Sequence, residues 1–479
     1  MQKLIQNIKE LKFYETLRHG SVYLFSYLAI QVLMVVSLPI FTKLLTPADF
    51  GIYEVFNNTV RVFAIFFSLN LFSGYYRFYF EKNIDTKSLM QYLLRTSFIA
   101  FFICSLLFLI FSSSILSEIN LPKQLAPWIV IAVFSNIILN YFSNYNTAQQ
   151  ESKRAGIWQF ISQFLRVIGA LFFVFYYAKN YEGRIIGETI FLFFISCLIA
   201  VIYFRKYIGW KEEITNKKEI VSYALNFIPI GLSGFALGYL DTIMINKYNG
   251  SNDAGLYSYA YKIATIYSGI TAAFLTANRP RLYELMNQKL EEEVIKQMRS
   301  MFKILIALAS FFIFFSQDAG KILALNKAFY NGLYLLPILI LSYIFNDLND
   351  LYSFYINYAK KIKYFYYSFF IAAMVNFILN LILIPKYGYT VAAYTTLISF
   401  ATMLITTYII CKYVLKLRVP AIVRFIDYIC IVLLILLVNY VVNYFVFTWS
   451  LQIATKCTIY FFVLLYLWKN IIKRFLSLK

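Results

Sequence analysis

The sequence predicts an all-α polytopic membrane protein of about fourteen transmembrane helices, and three observations support this prediction. The 479 residues are 61% hydrophobic and 14% charged, whereas about a quarter of the residues in a typical soluble domain are charged. Stretches of roughly 20 mostly apolar residues, the length that crosses the hydrocarbon layer, recur along the whole chain. Connections rich in Lys and Arg alternate along the chain with connections that have few, as expected when successive connections lie on opposite sides of a membrane.

The apolar stretches fall into two sets, and short polar breaks separate them. The first set is expected near residues 20–42, 52–73, 91–111, 126–147, 157–178, 185–204 and 222–246. The second set is expected near residues 255–277, 300–317, 333–358, 364–384, 390–411, 425–446 and 451–468. Each stretch is long enough to form a helix across the bilayer.

The positions of the 44 Lys and Arg residues predict the orientation of the chain. A net charge of +21 would favour nucleic-acid binding in a soluble protein. When alternate connections are assigned to the cytoplasm, however, about 30 basic residues lie there and about 8 lie opposite. The others fall within or at the ends of spans: Arg61, Arg95, Arg166, Lys262, Lys303 and Lys456. This pattern predicts that both termini are cytoplasmic and that nucleic acid is not a partner.

The first 19 residues are expected to lie on the inner leaflet as an amphipathic segment. Glu10 and Glu15 are mixed with basic residues, and no small-residue cleavage site follows the first apolar stretch, so a cleaved signal peptide is not expected. The apolar side of the segment consists of Leu4, Ile5, Ile8 and Leu11.

An internal repeat indicates two halves. The pattern K-x5-D-F-G-I-Y runs from Lys43 to Tyr53, and K-x5-D-A-G-L-Y runs from Lys247 to Tyr257. An Asp just before a span can cap free helix N–H groups, and a Tyr one turn later suits the headgroup level. Two similar caps that arose from this local need are the alternative. Because each unit holds six spans, an even number, the repeat predicts two parallel lobes.

The repeat divides the chain into four predicted regions. They are an N-lobe at 1–204 with spans 1 to 6 and the amphipathic segment, a cytoplasmic linker at 205–221, a C-lobe at 222–414 with spans 7 to 12, and two C-terminal spans at 415–479.

A family resemblance rests on residues 45–53, which read Leu-Thr-Pro-Ala-Asp-Phe-Gly-Ile-Tyr. This run resembles the L-x-P-x-x-(F/Y)-G-x-Y opening of the polysaccharide exporters and O-antigen (Wzx-type) flippases. They form a branch of the multidrug/oligosaccharidyl-lipid/polysaccharide, or MATE-like, flippase superfamily. A second run at 387–393 is similar to the family's yGxxGaa step, with Ala392 and Ala393 replacing the usual glycine. The resemblance implies a MATE-like fold and a flippase for undecaprenyl-pyrophosphate-linked oligosaccharide, the repeat unit of O-antigen, capsule or exopolysaccharide.

An enzyme is the less favoured interpretation. His19 is the only histidine, no G-x-x-x-x-G-K-[ST] phosphate loop is present, and the expected outer connections are short. The five cysteines stand singly, so neither a disulfide framework nor a zinc site is expected. No catalytic residue, metal site or cofactor is therefore expected.

Charges at membrane depth are the main candidates for function, since each costs roughly 2.5–3.5 kcal/mol on insertion scales and normally faces a cavity or a partner. The candidate cavity cations that would hold a pyrophosphate are Arg61, Arg166 and Lys262. The candidate ion-coupling or cavity acids are Asp241, Asp347, Asp350 and Glu188. Pairing of these acids and bases to lock helices together is the open alternative.

A hinge is expected in span seven, where Pro229, Gly231 and Gly234 permit bending, with a kinked packing helix as the alternative. Amide side chains in spans could contact sugar hydroxyls or bridge helices: Gln31, Asn140, Asn144 and Asn376.

The sequence as a whole therefore predicts a monomeric flippase of the bacterial cytoplasmic membrane that works by alternating access. Its expected partners are the lipid-linked oligosaccharide, membrane lipids, and the polymerase and assembly proteins of polysaccharide synthesis. Two alternatives stay open: a cation-coupled drug antiporter, which should favour acidic cavity residues, and a membrane-embedded polymerase or glycosyltransferase.

Overall fold

The chain forms two compact units, Met1–Gly255 and Leu256–Lys479, and each is considered by itself. The computed structural model describes residues 29–81, 83–209, 214, 217–445 and 448–476. The predicted amphipathic segment and His19 lie outside the described residues, as does part of the predicted linker. The units follow spatial packing, whereas the predicted lobes follow the sequence repeat, so the lobe boundaries stay a prediction.

The first unit is a bundle of ten helices in the part of the chain that the structure describes. They are α1 Ala29–Leu44, α2 Pro47–Phe67, α3 Phe72–Phe78, α4 Thr86–Glu118, α5 Ala126–Ala148, α6 Ser152–Tyr176, α7 Tyr181–Ile199, α8 Lys217–Asn226, α9 Ile228–Phe235 and α10 Asp241–Asn249. Helix α6 packs along α7, and α5 packs against α2, α3 and α7. Among the side chains in this core, Tyr141 is fully buried and its hydroxyl donates to the backbone oxygen of Leu93 at 2.9 Å.

The second unit contains most of one long helix and six further helices among the described residues. They are α11 Ser251–Asn287, whose first turn belongs to the first unit, α12 Glu291–Leu323, α13 Leu336–Tyr358, α14 Lys363–Tyr387, α15 Val391–Ile409, α16 Ile426–Phe445 and α17 Trp449–Leu476. Helix α15 packs against α13 and α14, while α16 and α17 pack against α12. The spacing of Met298, Phe302, Leu305, Ala309 and Ile313 gives α12 one buried apolar stripe.

The chain is an all-helical multi-pass membrane protein. Among the described residues, eleven helices are long and apolar enough to cross a membrane, or twelve if the bent pair α2 and α3 is one span. Each of the fourteen predicted stretches overlaps a helix. Two of these helices are not among the eleven or twelve candidate spans: α1, of which 29–44 is described, and α11. The count of fourteen stays a prediction.

The sequence explains where α2 begins and where it bends. Thr46 is the N-cap and forms a reciprocal capping box with Asp49, and Pro47 occupies the first turn, where its missing N–H costs nothing. The axis turns by 55° between α2 and α3. Leu69 and Asn70 lie at this bend, and both have a positive φ of about 50°, which ends the regular helix.

Asp85 is the N-cap of α4. It accepts a hydrogen bond from the backbone N–H of Ser88 at 2.8 Å. This bond lowers the pKa of the exposed Asp85 carboxyl from its ordinary value.

The two copies of the repeated motif contact each other through their glycines, and all the residues involved belong to the first unit. A Cβ atom on Gly51 would collide with the backbone oxygen of Ser251, and one on Gly255 would collide with that of Pro47. The motif therefore requires glycine because two backbones approach each other at this point.

The seventh predicted span is interrupted twice in the region of the predicted hinge. Helix α8 ends at Asn226, Pro229 lies in the first turn of α9, and a wide π turn at Ala236–Leu240 separates α9 from α10. Proline and π turns are both known causes of helix bending. A Cβ on Gly231 would lie 3.2 Å from Ile65, so this glycine also lets α9 approach α2. The hinge role itself stays a prediction.

Candidate functional site

Four side chains from α2, α6 and α7 of the first unit form a charged group, here called the Glu188 cluster: Tyr53, Arg166, Arg184 and Glu188. Glu188 Oε2 accepts from the Tyr53 hydroxyl at 2.9 Å and from Arg166 Nη2 at 3.0 Å. The other oxygen, Oε1, lies 3.4 Å from Arg184 Nε. Two guanidinium groups surround one carboxylate, so the cluster has a formal charge of +1 when all three groups are ionised.

Arg184 belongs to this cluster, although the sequence pattern indicates an outer connection at this point. Helix α7 begins at Tyr181, so Arg184 lies in its first turn and is only 4% exposed. Its guanidinium carbon lies 3.4 Å from the ring centroid of Tyr53 and 3.9 Å from that of Phe41. The spacing of four residues to Glu188 on a helix was the sequence signal that could have revealed it.

Paired glycines explain how close α6 and α7 come. A Cβ on Gly169 would lie 2.6 Å from the backbone oxygen of Gly187, and a Cβ on Gly187 would collide with that of Gly169. Small residues at facing positions allow such close helix packing in membranes. The close packing brings Arg166 of α6 within reach of Glu188 of α7.

Arg166 also lines a cavity of about 280 Å³, here called the polar cavity. Its other polar walls are Asn140, Ser143, Gln159, Ser162 and Gln163, and its apolar walls are Ile30, Leu139, Phe142, Trp158 and Leu192. The Arg166 side chain is 24% exposed, and its Nε has no hydrogen-bond partner among the described residues. Amides and hydroxyls pair with sugar hydroxyls, and a guanidinium pairs with phosphate. The polar cavity therefore suits a phosphorylated sugar.

Arg61 and Asp241 lie elsewhere in the same unit. Arg61 Nη1 donates to the Tyr239 hydroxyl at 2.7 Å, and its guanidinium carbon lies 4.5 Å from the centroid of that ring. Tyr239 is in the π turn before α10, and Asp241 is the first residue of α10 and is buried. Arg61 is thus held against the predicted hinge region.

The remaining predicted residues belong to the second unit. Asp347 of α13 is 2% exposed and accepts from the hydroxyls of Tyr267 at 2.8 Å and Thr271 at 2.9 Å. One helical turn away, Asp350 forms an ion pair with Arg279 at 2.8 Å. Lys262 lies on α11, half-buried. Arg166 pairs with Glu188 and Asp350 pairs with Arg279, contacts that the pairing alternative expects. Whether these residues also act on a substrate or an ion stays a prediction.

The structure contains a second buried ion pair, whose two partners the sequence did not connect. Lys456 Nζ of α17 lies 2.8 Å from Asp318 Oδ2 of α12, and both side chains are buried. The indole Nε1 of Trp449 also donates to Asp318, at 3.3 Å. This pair fastens the C-terminal helix to α12.

Comparisons with known proteins agree with this architecture. The family model described as "Polysaccharide biosynthesis protein" matches residues 16–286. No curated protein matches the chain. A structure described as "Lipid II flippase MurJ, inward closed conformation" is similar over 96% of this chain and 99% of its own, with 16% identity and a TM-score of 0.59.

Two further structures are transporters of the MOP superfamily. An inward-facing multidrug resistance MATE transporter is similar over 80% of this chain and 93% of its own, with 12% identity and a TM-score of 0.59. One from Pyrococcus furiosus, described as having a binding pocket of reversed polarity, covers 81% of this chain and 93% of its own, with 12% identity and a TM-score of 0.51. The matches confirm the resemblance found at residues 45–53.

Proposed function

The chain belongs to the polysaccharide biosynthesis protein family, and on that basis we propose that it flips an undecaprenyl-pyrophosphate-linked oligosaccharide across the cytoplasmic membrane by alternating access. The observation that supports this function most directly is the polar cavity of the first unit, where Arg166 lies among amide and hydroxyl side chains. The solved structures of similar fold reported above are a flippase and transporters, which favours transport over catalysis.

The polar cavity has the chemistry that a sugar–phosphate headgroup needs. A guanidinium binds phosphate oxygens through a planar fork, and its charge is not lost at any physiological pH. Asn140, Gln159 and Gln163 can each both donate to and accept from sugar hydroxyls. In this proposal Arg166 binds the phosphate while the amides contact the first sugar. Arg61, elsewhere in the same unit, is a further proposed contact of the substrate. The predicted role of Lys262, which lies in the second unit, stays a prediction.

Asp347 supports a second candidate function, cation-coupled antiport. The neutral hydroxyl groups of Tyr267 and Thr271 donate hydrogen bonds to this buried carboxylate. Such a carboxylate can exchange a proton or a small cation with its surroundings. A flippase can use the same group for coupling, so the transported substrate decides between the two candidates.

The proposal includes the membrane topology. We place the protein in the bacterial cytoplasmic membrane with fourteen spans and both termini in the cytoplasm, as the positions of its basic residues favour.

A reconstituted flipping assay tests the function. Purified protein in liposomes should move a fluorescent undecaprenyl-pyrophosphate-linked oligosaccharide between leaflets without changing its mass. A change of mass would indicate a transferase or polymerase. Efflux of a cationic dye without lipid-linked sugar movement would indicate the antiporter.

Variants at Arg166 test the proposed site. Glu188 keeps Arg184 and Tyr53 as partners when Arg166 is removed, so Arg166→Ala should reach the membrane at nearly normal abundance. Its flipping rate should fall about tenfold or more, because a charged hydrogen bond to phosphate is lost. Arg166→Lys should recover only part of the rate, since Lys lacks the fork.

The matched control is Arg281→Ala, which removes an exposed arginine that pairs with Glu284. It should flip at the normal rate. If Arg166→Ala instead lost abundance, and Glu188→Gln restored it, Arg166 would be a structural partner and the proposed site would be wrong.

A further inference from the structure

Glu188 shares its carboxylate between two arginines, and these arginines stand in different surroundings. Arg166 lines the polar cavity, and its side chain is 24% exposed. Arg184 does not line that cavity in the part of the chain that the structure describes, and its side chain is 5% exposed. A substrate in the polar cavity can therefore contact Arg166, whereas Arg184 can act on it only through Glu188.

Aromatic rings hold the Arg184 guanidinium in place. Its central carbon lies 3.4 Å from the ring centroid of Tyr53, 3.9 Å from that of Phe41 and 5.3 Å from that of Phe50. Aromatic faces attract cations, and the attraction is strongest where water is excluded. Arg184 Nη1 is buried and has no hydrogen-bond partner among the described residues, so the rings and the Glu188 carboxylate compensate this charge. Arg184 is thus a fixed charge of the Glu188 cluster.

The hydrogen bonds of Arg166 leave part of its guanidinium available. Nη2 donates to Glu188 Oε2 at 3.0 Å and to Asn57 Oδ1 at 3.4 Å. Both bonds use the same nitrogen, so Glu188 does not grip the guanidinium through two parallel bonds, as a carboxylate often does. A guanidinium has five N–H donors, and these two bonds occupy at most two of them. Arg166 therefore keeps donors for a ligand in the polar cavity.

The attraction of Arg166 for an anion depends on how Glu188 is shared. An arginine paired with one carboxylate forms a neutral pair, and an incoming phosphate must compete with that carboxylate for the guanidinium. In the Glu188 cluster the second arginine offsets the carboxylate. Glu54, which follows Tyr53 in the chain, also attracts Arg166, but more weakly than Glu188 does. Arg184 therefore keeps the surroundings of the cavity one unit more positive than they would otherwise be.

We propose that Arg184 is a positioning residue: it offsets the charge of Glu188, keeps Arg166 available to an anionic headgroup, and so makes the polar cavity prefer a phosphorylated sugar to a neutral one. This inference rests on the proposed function of the polar cavity. A buried ion pair is weak evidence for stability, since apolar side chains of similar size often serve as well, so stability alone does not account for the two buried charges. A purely structural Arg184 is the alternative, and the two differ in what they predict for a neutral ligand.

Binding of two probes to the full-length protein in detergent tests the proposal. One is a fluorescent undecaprenyl-pyrophosphate-linked oligosaccharide, and the other is a fluorescent undecaprenyl glycoside with the same sugars and no phosphate. Affinity is measured on folded protein, so a change in abundance does not affect it. The wild type should prefer the pyrophosphate probe. Arg184→Gln should bind that probe about tenfold more weakly, a usual size for couplings inside one charged network, and should bind the neutral probe as before.

Changing Glu188 as well tests whether Arg184 acts through it. Arg184→Gln combined with Glu188→Gln restores the local charge, so affinity for the pyrophosphate probe should return to near the wild-type value. Glu188→Gln alone should bind this probe more tightly than the wild type, and this variant keeps the test valid if Arg184→Gln does not fold. The matched control is Arg77→Gln, which removes a 52% exposed arginine that pairs with Glu81 at the same spacing of four residues. It should bind both probes normally.

The contrary results can be told apart. Equal loss of both probes in Arg184→Gln would show a structural role and overturn the proposal. An unchanged preference in Arg184→Gln, together with a lost preference in Arg166→Ala, would overturn the role of Arg184 and leave the proposed function standing. A double variant that stayed weak, or Glu188→Gln binding no more tightly than the wild type, would show that Arg184 does not act through Glu188. A wild type without preference for the pyrophosphate probe would overturn the anion site of the proposed function, and this inference with it.

Discussion

Lys456 shows what the sequence can and cannot tell about a single residue. Its position inside a predicted span marks it as a costly charge that needs a partner. The partner, Asp318, is 138 residues away on α12, and no local spacing connects the two. By contrast, Arg184 and Glu188 are four residues apart, so their pairing could be expected once the helix was known to begin at Tyr181.

The Lys456–Asp318 pair should contribute to stability. Removing one partner of a buried pair typically costs about 3–5 kcal/mol, because the other charge is left buried and alone. We expect Lys456→Ala to lower the melting temperature in detergent and the amount of protein in the membrane. Combining Lys456→Met with Asp318→Leu should restore much of the stability, since both charges are then gone.

The exposed pair Lys296–Glu293 provides the control for this prediction. Lys296→Ala should change stability by less than about 1 kcal/mol, as surface pairs do. A Lys456→Ala protein that melted like the Lys296→Ala protein would show that the buried pair contributes nothing measurable.

At the scale of helices, the repeated motif was interpreted from its Asp and Tyr. Its glycine, however, is the residue that the structure most clearly requires, because a side chain there would meet backbone atoms. Asp49 was expected to cap the helix from a place before the span, but the N-cap is Thr46, and Asp49 completes its capping box from within the first turn of α2. The reason for Gly51 could not be read from the sequence, because the backbone that it meets, at Ser251, belongs to the other copy of the motif.

Gly51→Ala tests this close approach. Its methyl group would meet backbone atoms, which cannot rotate away, so we expect a clear loss of thermal stability or of membrane abundance. Gly238→Ala is the control, since nothing lies within 4 Å of a Cβ at that position. That change should be neutral or slightly stabilising, as Ala is favoured over Gly in helices. Equal behaviour of the two variants would contradict the proposed backbone contact.

For the whole molecule, the apolar lengths and the basic residues were sufficient to predict a multi-pass helical protein, because the bilayer fixes both signals. Contacts between connections within each unit support the prediction that successive connections lie on opposite sides of the membrane. In the first unit, Lys247 pairs with Glu118 at 2.6 Å and Asn120 donates to the backbone oxygen of Asn246 at 3.0 Å. In the second unit, the Tyr389 hydroxyl donates to the backbone oxygen of Asn331. Connections that touch must lie on one side of the membrane, and the predicted topology places each of these pairs together outside.

Which side is outside is the last prediction. The positive-inside pattern expects the connection around Asn120 and the one around Gly250 to face away from the cytoplasm, with Lys479 inside. Alkaline phosphatase, which is active only outside the cytoplasm, should therefore be active when inserted at Asn120 or Gly250 and silent when fused after Lys479. Because Asn120 contacts Asn246, the two connections lie on the same side of the membrane. The insertions at Asn120 and Gly250 must therefore both be active or both be silent, whatever the orientation. Disagreement between them would contradict the hydrogen bond between Asn120 and Asn246. Activity after Lys479 together with activity at Asn120 would require an odd number of spans between a cytoplasmic N-terminus and the end of the chain, and would remove the prediction of fourteen.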